Sequence, residues 1–166
     1  MVKIAIEAEL WQAARSHLDA SAERVGFFLA DWLPVDRCFA VHAWRPINDG
    51  AVGFSDDVHV ELPDDARQEV IKWASVAGGC LIEAHSHGRW SPAAFSPYDL
   101  RGLDDWVQHL WWRLPDRPYA AIVTSHIDFD ALAWIAGPAV AEQVDGVIAD
   151  GYLAATKATL QLNVKE

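Results

Sequence analysis

The sequence predicts a single α+β domain over residues 1–166, built as a mainly antiparallel (mixed) β-sheet flanked by helices. Three observations lead there. A chain of 166 residues that is 52% hydrophobic can bury one core and is short for two. Segments of helical periodicity alternate with β-rich runs joined by short turn sequences. No internal repeat, low-complexity tract or linker divides the chain.

The first element is an amphipathic helix from Glu7 to Leu18, where Leu10, Trp11, Ala14 and Leu18 recur at helical spacing before Asp19 to Glu23 breaks the pattern. Val25 to Leu33 and Cys38 to Trp44 are β-rich runs joined across Pro34-Val35-Asp36. Asn48-Asp49-Gly50 carries turn chemistry ahead of a short segment around Val58 to Leu62, and these runs read as antiparallel strands. Pro63-Asp64-Asp65 then places a proline and two carboxylates at a helix N-terminus. Val70, Ile71, Ala74 and Ala77 continue one face until Gly78-Gly79 stops it. A buried strand follows from Cys80 to His85. A loop from Gly88 to Pro97 leads into a helix over roughly Tyr98 to Trp112, and Tyr119 to Thr124 with Ala131 to Ile135 reads as a strand pair. From Ala139 onward the pattern supports no single assignment.

Composition removes several function classes. Thirteen Lys and Arg against twenty-four Asp and Glu leave a net charge of −11, which repels phosphate backbones and anionic lipid, so neither nucleic acid nor membrane is an expected partner. Met1-Val2-Lys3-Ile4-Ala5 runs at once into Glu7 and Glu9, unlike a signal peptide, and no segment has the length to span a bilayer. Cys38 and Cys80 sit in apolar, strand-like runs where buried free thiols are the usual outcome. A reducing, cytoplasmic setting is the expectation.

The chemistry concentrates between Glu83 and Asp99. If the strand continues to His87, His85 and His87 project from one face and their imidazoles can converge on one metal ion. Asp99 returns after the loop at the start of a helix and can supply a carboxylate as third ligand, leaving the fourth position to water. Such a site acidifies its water, and hydrolysis then needs a nearby base, for which the segment itself offers only Glu83.

His85-Ser86-His87 followed by Ser96-Pro97-Tyr98-Asp99 resembles the motif of the JAB/MPN (JAMM) zinc metallopeptidases, which adds an acid far upstream. The family's acid precedes an apolar run containing glycine, as Glu23 does in Ala22-Glu23-Arg24-Val25-Gly26-Phe27-Phe28-Leu29-Ala30. The resemblance implies a JAB/MPN-like (cytidine-deaminase-like) fold, with His85, His87 and Asp99 as Zn²⁺ ligands. It also implies Glu23 as general base and Ser96 as a catalytic group stabilising the oxyanion. Two features differ: Gly88 replaces the usual proline, and the spacer Gly88 to Phe95 is one residue longer than the family's.

By the same resemblance, a small prokaryotic-type member would hydrolyse the peptide or isopeptide bond after the C-terminal tail of a ubiquitin-like modifier. Its partners would be the modifier or its conjugates, with activating and conjugating enzymes of that pathway. The alternatives are hydrolysis of small amino-acyl adducts on a sulfur-carrier protein and a non-catalytic MPN scaffold. Other readings of the same residues coexist with these. Ser96 before Pro97 is also a plain helix N-cap, and Asp99 a carboxylate favourable to the helix dipole. Glu83 shares the strand face of His85 and can support it from behind. His17, His42, His59, His109 and His126 lack ligand company and read as structural. Of the adjacent Trp111 and Trp112, only one can face inward.

Overall fold

The computed structural model describes residues 1–48, 54–55 and 60–163. The first strand, β1 (Val2–Ala5), is one the sequence reading did not assign. It alternates buried and half-buried residues and precedes helix α1 (Ala8–Leu18). Strands β2 (Val25–Leu33) and β3 (Cys38–Pro46) form the expected antiparallel hairpin. A small two-stranded ladder, β4 (Phe54–Ser55) with β5 (Val60–Glu61), precedes helix α2 (Asp64–Ala77), which ends at Gly78 in the left-handed conformation. Asp49 and Gly50, and Val58 and His59 of the segment expected around Val58 to Leu62, lie outside the described residues.

Strand β6 (Cys80–Ser86) leads through the loop to helix α3 (Pro97–Arg113) and then to strands β7 (Tyr119–Thr124) and β8 (Phe129–Trp134). The unassigned tail supplies β9 (Glu142–Ala149), β10 (Gly151–Ala154) and helix α4 (Ala158–Asn163).

These strands do not make the helix-flanked sheet, JAB/MPN-like in outline, that the sequence reading expected. They close into a seven-stranded mixed barrel in the order β1-β3-β2-β6-β7-β8-β9, and β9 returns to β1. The closing contact is parallel, with Ile4 opposite Val147, and β1 is also parallel to β3. β6 and β7 form the remaining parallel pair. Closure has a definite cause: β1 and β9 come from opposite ends of the chain, and each satisfies the edge that the other would leave open.

Alternation along the strands separates two cores. Phe28, Ala30, Ile82, Ala84, Ile122 and Ala131 belong to a cluster fed by all seven barrel strands, which is therefore the barrel interior. Trp11, Ala14 and Leu18 of α1 join it, with Trp11 edge-on to Phe129 at 5.5 Å. On the outer face, Phe27, Leu29, Leu81, Ala121 and Val123 pack against Val70, Ile71 and Ala74 of α2 and Leu103, Val107 and Leu110 of α3. Burying each such side chain contributes about 1.5–3 kcal/mol.

β8 begins two residues before its sequence assignment, because a carboxylate inside a strand hides it. Asp130 is fully buried yet satisfied: it accepts from Gln143 Nε2 at 2.9 Å, from Lys157 N at 3.1 Å and from the Thr159 hydroxyl at 2.6 Å. Those bonds pin the start of α4 to the barrel.

Candidate metal centre

His85 lies on the outer face of β6, the face that carries Leu81 and Glu83, beneath the N-terminus of α3. β6 ends formally at Ser86, but His87 N donates to Thr124 O at 2.7 Å, so the extended path continues along β7. The two imidazoles therefore stay on one side, with ring centroids 5.0 Å apart.

Asp99 reaches them from α3. Ser96 caps this helix: its hydroxyl accepts from Asp99 N at 3.1 Å, while Asp99 Oδ2 accepts from Ser96 N at 2.7 Å. The Ser96 hydroxyl also donates to Asp99 Oδ2 at 2.7 Å. Thus the cap that starts the helix also fixes the carboxylate. Asp99 Oδ2 lies 3.1 Å from His87 Nε2, and Oδ1 lies 3.6 Å from His85 Nε2.

Glu23 precedes β2 and is buried, with Oε1 3.9 Å from His87 Nε2. Its segment is tied to the end of β6 by Arg24 N donating to Ser86 Oγ at 2.9 Å and Ser86 N donating to Arg24 O at 3.0 Å. All five residues singled out in the sequence therefore meet in one place. The connecting loop is anchored by Asp128, which accepts from Ser91 Oγ at 2.7 Å and Ala93 N at 3.0 Å. Gly88, where the resembled family has proline, adopts φ 57°, a conformation the proline ring forbids.

The donor set suits a divalent cation. One ligand atom from each of His85, His87 and Asp99 lies within 4.8 Å of the others. Both ring nitrogens of His85 are buried without a hydrogen-bond partner: Asp99 faces Nε2 at 3.6 Å and Glu83 faces Nδ1 at 3.5 Å, both too far for a hydrogen bond. An imidazole between two carboxylates, with gaps to each, has room for an ion on the Asp99 side. The electrostatics agree. Burial disfavours charge on His85, but Asp99 and Glu83 more than reverse this and raise its pKa to about 10. Burial opposes ionisation of Asp99 as well, and the two histidines outweigh it, holding the carboxyl well below the usual range.

Behind His85 runs a chain of groups the sequence did not connect. Trp106 Nε1 donates to Tyr119 OH at 3.0 Å, and Tyr119 OH donates to Glu83 Oε2 at 2.9 Å. Burial, followed by the charge of Glu83, pushes the Tyr119 pKa well above its ordinary value, so the phenol keeps its proton. In front opens a cleft of about 280 Å³ whose walls include Glu23, His85, Asp99, Arg67 and Trp106. Arg67 and Trp106 carried no site signal in the sequence, since one lies on an ordinary exposed-pattern helix and the other on an apolar helix face. Elsewhere, His17 bonds Val25 O at 3.0 Å, His42 pairs with Asp31 and His126 with Asp19; these are structural contacts, and His59 lies outside the described residues. Trp112 is the exposed member of its pair.

No helix among the described residues is long and apolar enough to cross a membrane. No family profile and no curated protein matches the chain. Among solved structures it is similar to the solution structure of protein DSY2949 from Desulfitobacterium hafniense, with a TM-score of 0.59 over 92% of this chain and 95% of that one. At 14% identity the likeness is one of fold.

Proposed function

We propose that this chain is a zinc-dependent peptidase or isopeptidase of JAB/MPN type, hydrolysing the amide bond after the C-terminal tail of a ubiquitin-like modifier in the cytoplasm. The observation that carries the reading is the convergence of His85, His87 and Asp99 within 4.8 Å, with Glu23 3.9 Å from His87. The proposal rests on the motif and its geometry, not on the fold. Three protein ligands leave a position open.

His85, His87 and Asp99 would hold zinc, whose Lewis acidity would act on a carbonyl and on a water. Glu23 accepts the proton from the attacking water and returns it to the departing amine. Ser96 holds Asp99 in register through the cap, and it serves the oxyanion only by turning its hydroxyl from Asp99 toward substrate. The modest cleft supports a second reading with a small leaving group, an amino-acyl adduct on a sulfur-carrier protein. The partners proposed are the modifier or its conjugates, and the activating and conjugating enzymes of its pathway.

Zinc analysis together with cleavage of ubiquitin-like fusions ending Gly-Gly at the junction tests the proposal. Wild type should hold one zinc per chain and cleave, and His87→Ala should lose the metal. Glu23→Gln should keep zinc while turnover falls by about 10²–10⁴. Equal zinc in wild type and His87→Ala, or no fusion cut by zinc-loaded protein, overturns it.

A further inference from the structure

Two arginines line the cleft, and while Arg101 is exposed, Arg67 is the one set into its wall. It lies half-buried on α2, with its guanidinium packed over the Trp106 ring at 5.5 Å from the centroid. Among the described residues it has no hydrogen bond or ion pair from its guanidinium. Arg45 is stacked in the same way, over Trp73 at 4.5 Å, but does not line this cleft, and three other partly buried arginines are spent on the fold. Arg15 donates to the carbonyls of Ser125 and Asp128, Arg117 to those of Ala74 and Gly79, and Arg37 pairs with Glu142.

Four acids line the cleft with Arg67: the exposed Asp105, and three whose carboxylates have other neighbours. Glu83 accepts from Tyr119, Asp99 faces the histidines and Ser96, and Glu23 lies beside His87. Stacking on indole restrains the guanidinium, and as part of the cleft wall it offers a planar fork of donors to an entering group. That fork matches a carboxylate, and a net charge of −11 means that an anionic group needs a local cation to be held.

We infer that Arg67 anchors a substrate carboxylate on a residue adjoining the cleaved bond. The inference rests on the hydrolase reading and narrows its substrate. The carboxylate comes either from the free C-terminus of a single released residue or from an acidic side chain next to the bond. The lysine side chain of an isopeptide supplies neither by itself. In the reaction the hydroxyl of water joins the carbonyl carbon, the C–N bond breaks, and the remaining proton goes to the amine. The anchored carboxylate positions the amide and is not consumed.

Calorimetric titration with N-acetyl-Gly-Gly-Phe as free acid, the same peptide as carboxamide, and N-acetyl-Gly-Gly-Asp carboxamide tests the anchor. At least one carboxylate peptide should bind wild type about tenfold more tightly than the uncharged Phe carboxamide, the scale of a charge-assisted hydrogen bond. A preference confined to the free acid assigns a terminal carboxylate, and one shared by the Asp carboxamide admits a side chain. Arg67→Met keeps an apolar stem over Trp106 and should bring all three peptides level, while Arg67→Lys keeps part of the preference.

Titrations run with added zinc and after chelation keep the two readings separable. Failure to retain zinc or to cleave sinks the proposed hydrolase, and the acid-against-amide comparison is still read directly. The anchor is overturned if neither carboxylate peptide outbinds the Phe carboxamide, if no peptide binds wild type, or if Arg67→Met keeps the full preference.

Discussion

Glu83 approaches His85 on the side away from Asp99, its other oxygen held by Tyr119. A metal on His85 Nε2 leaves the Nδ1 proton on the side of Glu83, and closing the 3.5 Å gap to a hydrogen bond would fix the tautomer and strengthen the ligand. Glu83→Gln should therefore weaken zinc binding by about 10–100-fold with all three ligands intact, measured by chelator competition. An unchanged affinity would reduce Glu83 to a packing partner of Tyr119. At a second residue the pH dependence has a definite sign. Burial lifts the Cys80 thiol from its ordinary 9.0 to about 11, against a smaller opposing pull from Arg117. The folded state holds a proton there that the unfolded chain releases, so this contribution is full below pH 9.0 and is lost as pH rises toward about 11. Iodoacetamide should leave Cys80 unmodified at pH 8 in folded protein and label it on unfolding.

At the scale of elements, one helix start performs two tasks. Ser96 and Asp99 close the capping box of α3, and the same geometry presents Asp99 to both histidines. Ser96→Ala should cost about 1 kcal/mol of stability in urea unfolding of metal-free protein, as loss of an N-cap does. It should also weaken zinc binding, because the carboxylate loses the hydroxyl that holds it. If zinc affinity and stability are both retained while turnover falls, the hydroxyl acts on the oxyanion instead. The loop before the cap is fixed from outside itself, by Asp128 between β7 and β8.

For the whole molecule, the candidate metal centre joins segments far apart in sequence: Glu23 before β2, His85 and His87 at the end of β6, and Asp99 on α3. An ion that binds only their folded arrangement stabilises the entire barrel by linkage, by about 4 kcal/mol at a free concentration a thousand times Kd. Thermal unfolding should shift upward with zinc and return on chelation, and His87→Ala should abolish the response. A transition indifferent to zinc in wild type would mean that the triad does not bind the ion.

Several elements and the candidate ligands His85, His87 and Asp99 were legible in the sequence because their signals are local. The bounds of β2 and β7 follow from apolar, β-rich runs, and α2 from its acidic first turn and the glycines behind it. His85, His87, Ser96 and Asp99 sit within one short segment whose spacing suits ligation, and Glu23 came from the resemblance to a family motif. Barrel closure was not legible, because β1 is four residues long and its partners β3 and β9 are distant, so no periodicity marks it. Asp130 concealed the start of β8, since a buried carboxylate is tolerable only with donors that the tail supplies. Glu83, Tyr119 and Trp106 became a supporting chain, and Arg67 a cation facing the cleft, only in the folded molecule. Sequence spacing determines which side chains share a strand face or a helix turn. Tertiary packing decides which faces meet, and therefore which polar groups are satisfied and which remain for a ligand.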